Sequence, residues 1–230
     1  MVYRNFLATA LLALALAPVA CGGNKPDPKT TDDLEADAKA NQPPPEPKCD
    51  SLDDMCTAKA DTVAAVKSAT LEFKPPEKWK YAVLESHSFM HASKEPNAAV
   101  LAIGSYTPDK DAKKNDAARD AAFADLLKAL GATLPKNYKV AWKKPENPIE
   151  ANDIKMGVWV APGGEREVLK DKKGSVMIVH APVDATHNLI AVGFVLDDDV
   201  KGQEAVQAVL TSIKAGGDAK DDGKSDGDKK

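Results

Sequence analysis

The chain is poor in the residues from which catalytic and metal sites are made. It holds three cysteines and four histidines among 230 residues. Cys49 and Cys56 have no histidine nearby, which leaves too few ligands for a closed zinc site. There is no G-x-S-x-G elbow for a nucleophilic serine. Gly163-Gly164 falls between two strand patterns, not between a strand and a helix, so it is not a phosphate cradle. The spaced acidic pattern of a calcium loop is missing as well. The net charge is −4, and no basic stripe with interleaved aromatics stands out, so nucleic-acid binding has little support. No internal repeat is present. The one long apolar run, Phe6 to Ala20, falls short of the ~20 residues of a membrane-spanning helix. These absences point to a protein without cofactor, metal or catalytic constellation.

What is there begins at the N-terminus. Arg4 precedes the apolar run, and small residues close it, as in a secretory signal. Ala15-Leu16-Ala17 offers a small-x-small cleavage site, but Pro18 directly after it blocks the cut. Pro18-Val19-Ala20-Cys21 resembles the lipobox of bacterial lipoproteins, with Pro18 where that family usually has Leu. Gly22-Gly23-Asn24 is similar to the start of mature lipoproteins. The resemblance implies cleavage before Cys21 and lipid on Cys21, with two or three acyl chains giving stable membrane attachment. A residue other than Asp after the cysteine implies the outer membrane of a Gram-negative cell. The alternative is a plain secreted protein with an incidental Cys21. Lipidation leaves an even pair, Cys49 and Cys56, and an oxidising compartment permits a disulfide between them. So short a loop makes that disulfide worth ~2 kcal/mol or less.

Composition divides the chain into a signal at 1–20, a tether at 21–48, a short disulfide-bearing lead-in at 49–68, a domain at 69–214 and a tail at 215–230. The tether carries Pro26, Pro28, Pro43, Pro44, Pro45 and Pro47 among charges, and cannot bury enough surface to offset its ordering entropy. The tail mixes Asp, Lys, Gly and Ser and reads as a disordered polyampholyte.

Within the domain, Phe123, Leu126, Leu127 and Leu130 recur at helical spacing, with Gly131 and Pro135 as stop signals. Val206, Val209, Leu210 and Ile213 repeat the pattern, with Asp198 or Asp199 as cap and Gly216 after the end. Tyr81–His91 and Ala98–Tyr106 are strand-like runs joined by a turn at 94–97. Ile154–Ala161 alternates as a strand, and Pro162-Gly163-Gly164 is expected to turn it into a strand at 165–170. Asp171-Lys172-Lys173-Gly174 turns again into Ser175–Ala181, and Asn188–Leu196 follows. Such short connections require antiparallel neighbours. The fold class expected is α+β, an antiparallel sheet with two amphipathic helices packed on it.

The opening Leu71-Glu72-Phe73-Lys74-Pro75-Pro76-Glu77-Lys78-Trp79 and the closing Val209-Leu210-Thr211-Ser212-Ile213-Lys214 resemble the first strand and last helix of the PsbP-like fold. That fold is shared by photosystem PsbP proteins, Ran-binding Mog proteins and the lipoprotein DcrB. The resemblance covers residues 69–214 and implies an exported domain without an established catalytic site.

Three polar clusters remain. His87 and His91 lie four apart in a strand, roughly 13 Å from one another, too far to share a metal ion. His180 and His187 flank a turn with Asp184 between them, and are read as a polar hairpin end, with a weak transition-metal site as the alternative. Asp197-Asp198-Asp199 is read as a helix cap in preference to a calcium site. Tyr81, Trp142 and Trp159 are candidate contact aromatics, although Trp79 and Trp159 suit the core better. The function expected is a membrane-tethered binding or scaffolding domain with an envelope protein as partner. The alternative is a periplasmic carrier of a small ligand or metal.

Overall fold

A computed structural model describes residues 47–216. The signal at 1–20, Cys21, nearly all of the tether and the tail from 217 lie outside the described residues. In chain order the elements are β1 (Cys56–Thr57), β2 (Ala64–Val66), β3 (Leu71–Phe73), β4 (Lys80–Val83), β5 (His87–His91), β6 (Ala99–Tyr106), α1 (Ala112–Leu130), β7 (Ala132–Thr133), β8 (Ile149–Ala151), β9 (Ile154–Arg166), β10 (Lys173–Pro182), β11 (Asn188–Leu196), α2 (Val200–Ser212) and β12 (Lys214–Ala215). The main sheet has nine strands in the order β1-β4-β5-β6-β11-β10-β9-β7, with β8 also on β9. A second sheet runs β12-β3-β2. Every pairing is antiparallel. The architecture is therefore α+β, with two helices packed on an antiparallel sheet.

The central strands are apolar at consecutive positions because both of their faces are covered. Successive side chains of a strand point to opposite sides. Val100, Ala102, Ile190, Val192 and Phe194 face α1 through Leu126 and Leu130. Leu101, Ile103, Leu189 and Ala191 face α2 and the small sheet through Val206, Val209, Leu210, Leu71 and Phe73. All nine residues of β11 are buried as a result.

Local chemistry sets the helix ends. Asp111 caps α1 by accepting from the backbone N–H of Lys113 and Lys114. Gly131, at φ 57°, closes the helix and returns its N–H to the carbonyls of Leu127 and Lys128; this left-handed position favours glycine. Asp199 caps α2 through the N–H of Gly202. Its other end differs from expectation. Gly216 does not close α2, because Ile213 is already extended and the chain continues into β12 on β3. The end is served instead by Asn152, whose Nδ2 donates to the carbonyls of Thr211 and Ile213 at 3.2 and 2.8 Å.

Two strand expectations are corrected. Tyr81–His91 is a hairpin, not one strand, with Leu84 N–H bonded to His87 O across the turn. Pro162-Gly163-Gly164 is a bulge inside the continuous β9, not a turn. Gly164 pairs Gly174 and Pro162 pairs Ser175, so Gly163, at φ 79°, is the extra residue. Gly164 must lack a Cβ because the Val176 side chain lies there. The reversal comes later, at 167–172, so there is no separate strand at 165–170.

Both outer edges of the main sheet are guarded, as exposed strand edges need to be. The lead-in covers β4: Cys56 pairs with Tyr81, and Cys49 O accepts from Val83 N at 2.7 Å. A disulfide joins Cys49 to Cys56 and closes this clip. On β9, Val158 O takes the N–H groups of Glu146 and Asn147, the Glu146 carboxylate takes Val160 N–H, and Pro162 has no N–H to offer.

Candidate functional site

The chemistry-bearing side chains gather where the ends of β6, β10 and β11 meet the first half of α1 and the connection at 134–148. Tyr106 ends β6, Asn188 begins β11 directly opposite it, and His180 stands near the end of β10. Asn188 Nδ2 donates to the Tyr106 hydroxyl at 2.9 Å, and that hydroxyl lies 2.9 Å from His180 Nε2. An amide NH₂ can only donate, so the tyrosine oxygen accepts from Asn188 and the hydroxyl proton is free to point at Nε2 of His180. Burial first, and the Arg119 charge second, push its pKa down to about 4. Burial also raises the Tyr106 pKa, which keeps the proton on the hydroxyl.

Above this network lies an aromatic cluster. Trp142 meets Phe123 at 5.5 Å, Trp159 at 5.3 Å and His180 at 6.0 Å, each edge-on. The Arg119 guanidinium lies 4.5 Å over the Trp142 ring, a cation–π geometry. Asp116 and Asp120 hold the same guanidinium at 2.8 and 3.0 Å. Trp159 is buried beneath and donates Nε1–H to the carbonyls of both Ala141 and Lys144 at 3.1 Å. Gly157 makes room for that indole, since a Cβ there would lie 2.7 Å from the Trp159 ring. Asp116, Arg119, Ala141, Trp142, Lys143 and Lys144 line an open groove of about 320 Å³. It offers an aromatic wall and charges of both signs, the ingredients of a binding site.

The residues singled out in the sequence separate in space. The Cys49–Cys56 disulfide forms, at a Cα separation of 5.1 Å; Cys21 lies outside the described residues. His87 and His91 sit at opposite ends of β5. His87 lines a small cavity of about 200 Å³ with Ser86, Ser105 and Asp125 under α1. His180 does not join His187 and Asp184. Asp184 instead organises its own turn, accepting from Thr186 N–H and His187 N–H at 2.6 and 2.7 Å, with the His187 ring 3.3 Å away. Those bonds, the Thr186 hydroxyl foremost, hold its carboxyl below the usual range. Among the described residues no group of three His, Cys, Asp or Glu could hold a metal ion. Asp199 is a helix cap and Asp197 accepts from the Ser175 hydroxyl at 3.0 Å.

Of the aromatics, Trp79 and Trp159 are core and Tyr81 is half-buried beside the disulfide. Trp142 alone of the candidate tryptophans reaches a groove. Sequence reading missed Tyr106, Arg119 and Asn188 as its companions, since no spacing links residues on four separate elements. It also passed over the lysines interleaved with Tyr138 and Trp142 between Lys136 and Lys144, a signal visible in composition.

No family model matches the chain, and no curated protein matches it. Among solved structures it is similar to a Bacteroides thetaiotaomicron protein at 9% identity and a TM-score of 0.43. The match covers 71% of this chain and 50% of that one, so the chain matches about half of that relative's length.

Proposed function

We propose that this is an exported, lipid-anchored cell-envelope protein whose α+β domain, built on a PsbP/DcrB-like plan, binds another envelope component and performs no reaction of its own. The groove between α1 and the connection at 134–148 carries this reading. Its charged and aromatic side chains, Arg119 and Trp142, are already held by Asp116, Asp120, Phe123 and Trp159. A preformed surface of this kind loses little side-chain freedom when a partner docks. The Cys49–Cys56 disulfide supports an oxidising compartment. The lipobox-like Cys21 and the proline-rich tether add an anchor and reach, which raise the effective concentration of the domain near the membrane.

The test is crosslinking in the native envelope followed by co-purification, with Trp142→Ala and Cys21→Ser alongside. The expected result is one reproducible partner, lost with Trp142→Ala and displaced with Cys21→Ser. Recovery of the same partner at the same yield with both variants would overturn the reading.

A further inference from the structure

The connection at 134–148, between β7 and β8, is the longest between elements of the described residues. Connections of ~12–15 residues without secondary structure of their own are uncommon and usually functional. This one is not loose. Trp159 Nε1 holds the carbonyls of Ala141 and Lys144, and Lys144 N–H closes a turn on Ala141 O at 2.8 Å. An earlier turn closes from Tyr138 N–H to Pro135 O at 2.9 Å. Glu146 and Asn147 fasten the far end to β9.

What this rigid connection presents is four cations. Lys136, Lys139, Lys143 and Lys144 are all exposed, and none takes part in an ion pair among the described residues. Nearby carboxylates are not paired with them. Glu146, the one acid of the segment, is bonded to Val160 N–H and the Tyr138 hydroxyl. Asp116 and Asp120, across the groove, are both taken by Arg119. Tyr138 and Trp142 stand between the lysines, half-buried. The chain as a whole is acidic at −4, so this is a local inversion of its charge.

We infer that the connection is a docking surface for an anionic lipid bilayer. Lysines are compact point charges that need no fixed fork of acceptors, and their attraction to a charged leaflet is about 1 kcal/mol each. A segment with four lysines and no arginine is suited to a diffuse field, not to one bidentate anion. The inference rests on the anchored reading above: lipid on Cys21 would bring the domain to the membrane, and the lysine surface would then fix its orientation there, with Lys143 and Lys144 at the rim of the groove against the headgroups.

The experiment is vesicle co-flotation of the full chain, comparing phosphatidylcholine vesicles with vesicles containing phosphatidylglycerol at low and high salt. Binding to neutral vesicles reports the anchor, and the anionic-to-neutral ratio reports the lysine surface. The expected ratio exceeds tenfold at low salt and collapses at high salt. It also collapses in Lys136→Ala/Lys139→Ala/Lys143→Ala/Lys144→Ala, each lysine accounting for about fivefold. An equal change of charge elsewhere, Lys59→Ala/Lys74→Ala/Lys170→Ala/Lys172→Ala, should leave the ratio in place. A ratio near one for the unaltered chain overturns the inference while leaving the anchor standing if neutral vesicles still float it. An equal loss in both quadruple variants overturns it too, as does loss of a crosslinked protein partner from the first variant with the ratio unchanged.

Discussion

His180 and Tyr106 show how burial selects a protonation state. A protonated imidazole would carry a charge that its partial burial and the Arg119 charge both disfavour. The native pKa, about 4, is below the ordinary 6.5. The unfolded chain therefore binds more protons than the folded one between these values, and stability rises with pH there. The contribution is whole above pH 6.5 and lost as the pH falls through about 4. Melting temperatures measured across that window should drop on acidification, and His180→Gln should flatten the drop. An unchanged slope in the variant would place the acid sensitivity elsewhere. This pair was not legible in the sequence. His180 was visible as a histidine near a turn, with His187 and Asp184 as its nearest polar company along the chain. The partner it has in the fold arrives from 74 residues away.

At the scale of elements, local rules carry most of the explanation. The stripe from Phe123 to Leu130 and the glycine after it mark α1 because helix periodicity and a left-handed cap need only neighbouring residues. Gly131 has open space around the position of a Cβ, so Gly131→Ala should act through backbone strain alone. Its cost is about 1 kcal/mol, read as a shift of the urea midpoint. Asp111→Ala at the other end should cost a similar ~1 kcal/mol. Local rules fail where an element borrows its terminator. Gly216 has the right spacing to close α2, yet Asn152 from the β8–β9 turn occupies that role. Likewise Pro162-Gly163-Gly164 carries turn chemistry, yet β10 continues pairing on both sides of it. A bulge and a turn draw on the same residues, and the partner strand decides between them.

For the whole molecule, the arrangement of edges matters most. The lead-in is stitched to β4 through β1 and the connection at 134–148 to β9 beside β7 and β8, so irregular chain covers what those short strands leave open. The disulfide secures the first of these. Reduction should lower stability by about 2 kcal/mol, the value expected for a loop this short. It should also expose Val83, whose amide is held by Cys49 O. Hydrogen exchange with and without reductant checks both: faster exchange at Val83 with the α1 core unchanged is the expected pattern. Exchange that accelerates equally everywhere would mean that the clip supports the entire fold, not its edge.

The sequence by itself determined the two helices, the strands Ala99–Tyr106 and Asn188–Leu196 that precede them, the α+β class and, on the expectation that Cys21 carries lipid, the Cys49–Cys56 pair. Each depends on contacts between residues close along the chain, or on a count that leaves one pairing. Tertiary structure alone decided which face of each strand meets which helix, what closes α2, and which side chains surround Trp142. It also decided that the lysines of one connection stand without carboxylate partners. Glu146 is two residues from Lys144, and the fold bonds its carboxylate to Val160 N–H and the Tyr138 hydroxyl instead. The physical reason is the same in each case: charge and hydrogen-bond partners are chosen by distance in space, and spacing along the chain constrains that distance only within a single element.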